Sequence, residues 1–301
     1  MLDRGARSPH QLPQPFTDGL AEMAVAALVD EVTLTPKPGL VDLRSRGAHR
    51  DLNWLLMCHS AWVLQPTFLA MATAGQSMAD MQQLRERIGH VGREGEQAMM
   101  QATGGVNTHR GAIWALGLLV TAAAQDPCAL SASAVAVRAG ALARRPDPHA
   151  PAVTGNNGEQ ACLKYGVGGA RSQAQANFPH VLAVGLPMLR RSRWRGDSEN
   201  AARLNALLAI VAGLDDTCVL SRGGTAALVA TQAGATRVLN AGGAGNAQGK
   251  DALRQFENEL LARHLSPGGA ADLLAATLLL DRIERHSSIN AKVNDHGKAG
   301  V

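Results

Sequence analysis

Aromatic side chains are scarce in this chain, with one tyrosine, four phenylalanines and four tryptophans among 301 residues. Stacking platforms for single-stranded nucleic acid are therefore few. The net charge is +4 and the pI near 9.1, yet the basic residues form no long run, so no nucleic-acid partner is expected. Four cysteines, Cys58, Cys128, Cys162 and Cys218, are widely spaced, with no C-x-x-C pair and no zinc-like spacing to histidine. That excludes a disulfide framework or zinc module and favours a reduced, cytoplasmic protein. No apolar run is read as long enough to span a bilayer, so no membrane association is expected. The first nineteen residues hold three prolines and no continuous apolar stretch, unlike a secretory signal. The patterns G-x-x-x-x-G-K-[ST] and G-x-S-x-G are absent too, which removes the P-loop and α/β-hydrolase readings.

What is present is a helical pattern. Hydrophobic residues make up 46% and mean hydropathy is −0.05, as in globular proteins with one large core. Leu20, Ala24, Ala27, Leu28 and Val32 recur at helical spacing behind Asp18, a fitting N-cap, and Pro36 and Pro38 end that segment. The same period marks 52–71, 78–102, 111–125, 131–143, 179–191, 199–214, 248–264 and 270–285. Alanine and leucine dominate these stretches, and both favour helix over strand. The expected fold is a single all-α domain of roughly ten helices, spanning 18–286, with a flexible leader at 1–17 and a loose polar tail at 287–301.

Five intervening segments, 35–47, 103–110, 154–178, 215–224 and 241–250, are rich in glycine together with charged or amide side chains. Loops set on a rigid scaffold commonly carry function. In TPKPGLVDLRSRGAH, two prolines stiffen the chain around Lys37 and Asp42 follows, which suits phosphate and magnesium, or else a plain connector with solvated charges. In ATGGVNTHRGAI, a glycine pair leads through Asn107, Thr108, His109 and Arg110 into a helix start, a recognisable anion site. The segment 154–178 reads as a substrate-covering loop or an ordinary surface loop. In DDTCVLSRGG, Asp215 and Asp216 precede Arg222, Gly223 and Gly224, an arrangement able to hold a metal ion and the phosphates it neutralises. In SPGGAADLLAAT, Asp272 is read as a first-turn acid, which dipole stabilisation alone would explain.

Taken in order, TPKPGLVD, GAHRD, ATGGVNTHRGAI, DDTCVLSRGG and SPGGAADLLAAT resemble the family of triphosphoribosyl-dephospho-CoA synthases over most of the chain. The resemblance implies an all-helical cytoplasmic pentosyltransferase that joins the triphosphoribosyl part of ATP to 3′-dephospho-CoA and releases adenine. Its product is the precursor of the prosthetic group of malonate decarboxylase or citrate lyase, passed on to a carrier-protein transferase. Malonate decarboxylase is favoured because no carrier-transfer domain is fused here. A base must take the proton of the attacking hydroxyl, a donor should assist adenine, and cations must hold the triphosphate.

The matching carboxylates are Asp42, Asp51, Glu96, Asp215, Asp216 and Asp272. On this reading Glu96 is the base and His109 a catalytic donor. Lys37, Asn107, Thr108, Arg110, Arg171, Arg222, Gly223 and Gly224 bind substrate and its phosphates, while Asp42, Asp215 and Asp216 hold Mg²⁺. Two departures stand out. Gln173 replaces a glutamate common in the family between Arg171 and Phe178, and Cys218 replaces an asparagine common after Asp-Thr. They lend some weight to an impaired nucleotide-binding module. A phosphotransferase using the same triphosphate site is the other alternative.

Overall fold

The computed structural model describes residues 14–298, with side chains described for 16–287. The expected leader therefore lies largely outside the described residues. Polar caps set many of the helix starts: the side chains of Asn53, Asp80, Ser131, Asn156, Ser198, Asp216 and Asn246 each accept a backbone N–H of the first turn. The first half of the chain comprises α1 (Gln14–Thr33), α2 (Trp54–Val63), α3 (Gln65–Ser77), α4 (Met81–Ala102), α5 (Arg110–Gln125) and α6 (Ala132–Arg144). Two short helices follow, α7 (Asn157–Tyr165) and α8 (Gly169–Gln175), and then a π-helical turn, His180–Gly185, running into α9 (Leu186–Trp194). The remainder is α10 (Glu199–Gly213), α11 (Thr217–Asn240), a 3₁₀ turn (Gly243–Gly245), α12 (Ala247–Ala262) and α13 (Gly268–Lys298). No strand occurs among the described residues, as the residue pattern predicts.

Helix α5 is the centre of the molecule. Every residue from Ala112 to Ala124 except Trp114 is buried, as a helix apolar on all sides must be. It packs against α1, α3, α6 and α13. Small residues let the backbones come close, and at Gly75 of α3 an added Cβ would lie 2.3 Å from the Thr121 carbonyl oxygen of α5.

Several expectations are corrected. The segment 154–178 is not one loop but holds α7 and α8, each short enough for its glycines to mask the period. The stretch 215–224 is the start of α11, a helix the pattern does not reveal. Gly223 and Gly224 read as loop residues, and Gly224 does break the helix with φ 68° and ψ −167°, but helix lies on both sides. The segment 52–71 divides into α2 and α3 around Leu64 and extends to Ser77. Helix α13 continues to Lys298, through most of the stretch expected to be a loose tail. The expectation of no long apolar run also fails: Trp54–Ser77, 24 residues containing an 18-residue window of mean hydropathy 1.3, is long and apolar enough to cross a membrane by length and composition. Core helices meet the same description, and α3 buries Phe68, Met71 and Ala72 within the bundle.

The α3–α5 contact makes a clear test. Helix propensity favours alanine over glycine by about 1 kcal/mol, but the α5 backbone occupies the space. Gly75→Ala is expected to lower stability by about 1–3 kcal/mol in urea unfolding. An unchanged or higher midpoint would mean that the two helices part without cost.

Candidate functional site

The turn after α1 brings its lysine inward. Lys37 is buried, and its Nζ donates to Glu31 Oε1 at 2.5 Å. Glu31 falls on the inward stripe of α1 with Leu20, Ala24, Ala27 and Leu28, so an acid at a core position was the available signal for it. Burial pushes the Glu31 carboxyl up and the Lys37 ammonium down, each opposed by the partner's charge. Asp42 folds the loop on itself: its carboxylate accepts the backbone N–H groups of Lys37, Arg44 and Ser45 at 3.1, 2.8 and 2.9 Å, and also the Arg44 guanidinium. Lys37 is thus taken up by Glu31 and Asp42 by its own loop.

A second buried acid ties α11 to α13. Asp216 Oδ1 accepts from the N–H groups of Cys218 and Val219 at 2.8 and 3.2 Å, capping α11, while Oδ2 accepts from Ala270 at 2.9 Å. Six residues along α11, Arg222 donates to the carbonyl oxygens of Ala48 and His264, both at 3.2 Å, and to His49 Nδ1 at 3.3 Å. Guanidinium can only donate, so Nδ1 is the acceptor and neutral His49 carries its proton on Nε2, which donates to Ser266 Oγ at 2.8 Å. The Ser266 hydroxyl proton is left for another acceptor. These residues border a pocket of about 340 Å³ lined by Ala48, His49, Arg50, Asp51, Arg222 and His264. Its cations outnumber its one acid, which suits an anionic ligand.

The third part is the start of α5. Asn107 Oδ1 accepts the Arg110 N–H at 3.2 Å, the Thr108 and Ser60 hydroxyls meet at 2.5 Å, and the Arg110 guanidinium pairs with Glu96 at 3.0 Å. His109 is buried and its Nε2 donates to the Met57 carbonyl at 3.0 Å. Beside Arg110, an added Cβ on Gly111 would lie 2.1 Å from Asp272 Oδ2. Asp272 thus lies against the mouth of α5. It is half-buried in α13 and makes no hydrogen bond or ion pair within the described residues. Burial pushes its carboxyl well up, and the charges of Glu31 and Asp216 add to the effect.

The fold therefore gathers Glu31, Lys37, Asp216, Asp272 and the α5 start beside the Arg222 pocket. It does not draw Asp42, Asp215 and Asp216 into a metal centre: among the described residues no three acid, histidine or cysteine side chains form a group able to hold an ion. Asp42 and Asp216 direct their oxygens to backbone amides, and Asp215 is exposed. Arg171 on α8 stands near Arg85 of α4 and does not line the pocket. Gly223 and Gly224 belong to α11 and present no phosphate loop. The two departures also have structural places. Gln173 Oε1 pairs with the His180 ring at 3.1 Å, and Cys218 packs beside Gly268. Glu31, His49, Arg50 and Ser266 are site residues that the motifs did not single out.

Comparison with known proteins matches residues 17–291 to the CitG family, described as ATP:dephospho-CoA triphosphoribosyl transferase. A probable 2-(5''-triphosphoribosyl)-3'-dephosphocoenzyme-A synthase of Azotobacter vinelandii is 55% identical over 275 residues, 91% of this chain and 94% of the relative. One of the same name from Pseudomonas fluorescens is 54% identical over 94% of this chain and 98% of its own length. The 2-(5''-triphosphoribosyl)-3'-dephosphocoenzyme-A synthase of Klebsiella pneumoniae is 54% identical over 88% of this chain and 94% of its own length. No solved structure matches.

Two stability outcomes follow from the buried groups. Glu31→Gln leaves an ammonium buried without its counter-charge and is expected to cost about 3–5 kcal/mol, whereas Glu31→Leu with Lys37→Met stays near wild type. Equal losses for the two variants in denaturant unfolding would refute this. His49 and His109 are both lowered from 6.5 to about 4, first by burial and then by Arg222 and Lys37 respectively. With folded values below unfolded ones, the stability they contribute is full above pH 6.5 and is lost as pH falls toward 4. The urea midpoint should decline across that window, and His109→Gln should flatten part of the decline.

Proposed function

The chain belongs to the ATP:dephospho-CoA triphosphoribosyl transferase family, a family of transferases, and from that premise we propose that it forms 2'-(5''-triphosphoribosyl)-3'-dephospho-CoA from ATP and 3'-dephospho-CoA with release of adenine. The observation that carries the reading is the meeting of two unlike groups in one place. A pocket with the cations Arg222 and Arg50 adjoins the acids Glu31, Asp216 and Asp272, each affected by burial. Triphosphate binding needs the first, and activation of a hydroxyl nucleophile needs the second. Cleavage falls at C1′ of the ribose, so the phosphates are a handle to be gripped and kept whole.

In this reading Arg222 and Arg50 contact the phosphates directly. Arg110 supplies a further cation at the α5 mouth, where free N–H groups of the first turn also favour an anion. Neutral His109 orients the residues before α5 through Met57, and Asn107 and Thr108 hold that turn. Lys37 acts on the neighbouring acids, and Arg171 stands outside the phosphate site. Among the described residues no group of acid, histidine or cysteine side chains fits a protein-built magnesium centre. Magnesium, which neutralises phosphate charge, would instead enter on the triphosphate, since it is commonly held by substrate phosphates with one or two carboxylates. Asp215 is the exposed acid available for such a contact.

The product would pass to a carrier-protein transferase, with malonate decarboxylase favoured over citrate lyase as the pathway served. A cytoplasmic setting is consistent with four free cysteines. The deciding assay supplies ATP and 3'-dephospho-CoA to the purified chain and follows free adenine. Adenine in step with consumed dephospho-CoA is expected. Release of ADP or pyrophosphate would establish a phosphotransferase, and binding without turnover an impaired module. Arg222→Ala should raise the KM for ATP about 10- to 100-fold, in line with losing charge-assisted hydrogen bonds.

A further inference from the structure

We propose that Asp272 is the base of this transfer, accepting the proton of the attacking hydroxyl of dephospho-CoA, and that Glu96 positions Arg110 instead. The assignment rests on the reaction put forward above.

It follows first from how the acids beneath the surface and on the rim are engaged, Asp51 and Asp215 lying fully in the exposed layer. Glu31 holds Lys37, Asp42 binds its own loop, Asp216 caps α11 and ties down Ala270, and Glu96 pairs with Arg110 on the rim. Asp272 has no hydrogen-bond or ion-pair partner among the described residues, although it is half-buried. Its oxygens are not sealed from solvent, so they stay open to a substrate hydroxyl. The helix dipole does not account for this acid. Asp272 is the fifth residue of α13, past the first turn where that effect is felt.

Its position is the second ground. The carboxylate lies against Gly111, next to Arg110, where any side chain larger than glycine would displace it. On its other side Cys218 senses the charges of both Asp272 and Arg222, the pocket cation. Asp272 thus lies against the start of α5 and shares Cys218 as a neighbour with the pocket cation Arg222. The charged and titratable groups facing it are Glu31 from α1 and Asp216 and Cys218 from α11, while the Arg110 side chain beside Gly111 turns to Glu96. Burial and the two acids strengthen its hold on a proton, as a general base requires.

The step balances without a further reactant. The hydroxyl oxygen bonds to C1′ of the ATP ribose, the C1′–N9 bond breaks, and its electron pair leaves with adenine. The hydroxyl proton passes to Asp272 and then to solvent, and adenine takes up one proton from solvent.

The test measures adenine release and ATP affinity together for wild type, Asp272→Asn, Asp272→Ala and Glu96→Gln. Asp272→Asn is expected to lower kcat about 100- to 10,000-fold while the Kd for ATP, by calorimetry, stays within about threefold. Formate should restore turnover to Asp272→Ala, an outcome that a packing role would not produce and that does not depend on how well asparagine fits. Glu96→Gln should keep most of its kcat and weaken KM. The assignment is overturned if Asp272→Asn keeps more than roughly a tenth of the wild-type kcat. It also falls if formate has no effect and lost activity tracks lost ATP affinity. A wild-type chain that binds ATP but releases no adenine would instead undo the proposed reaction, a result distinct from active wild type with active variants.

Discussion

One buried carboxylate holds the site together. Asp216 satisfies backbone N–H groups at the start of α11 with one oxygen and at the start of α13 with the other. Unpaired amides at a buried helix end are costly, so the two helices can begin only where this acid reaches both. Arg222 then stands on α11 and Asp272 on α13 at fixed separation. The same bridge sets Ser266, just before α13, within reach of His49.

Around that anchor, charge is sorted by depth. Acids lie inside, where Glu31 and Lys37 neutralise one another and Asp272 is left with a strengthened hold on its proton. Cations lie at the rim, where Arg222 and Arg50 face a pocket that a phosphate chain can enter. Interior acids act on protons because low polarity magnifies their shifts. Rim cations are exposed and open to an incoming phosphate chain. A transfer at an anomeric carbon of a triphosphate-bearing ribose needs both within one small region.

The helical class was legible because alanine and leucine recur at the helical period over long spans, as in α5 and α10. Helix α11 was not, because Arg-Gly-Gly reads as a loop while the fold carries helix through a break confined to Gly224. The segment 154–178 misled for a similar reason, its glycines serving as joints between short helices. Among site residues, Arg222 lines the pocket, and Arg110 stands where the anion-site pattern put it. Lys37 and Asp42 were visible as charged residues on a stiff turn. The one local hint of the first partnership was an acid on the inward stripe of α1, and nothing local indicated that Asp42 would bond its own loop.

Periodicity, composition and five ordered motifs were enough to establish an all-helical chain and its family, because both are written in residues close together along the chain. The partnerships of the charged groups were decided only by tertiary structure. Glu31 lies near Lys37 in sequence, yet whether that pair faces water or core depends on how α1 packs. Asp216 meets Ala270, and Asp272 meets Gly111, across separations that no local pattern spans. Which acid is occupied and which is left open is a property of the packed interior, since only there do desolvation and competing hydrogen bonds determine how each carboxylate is used.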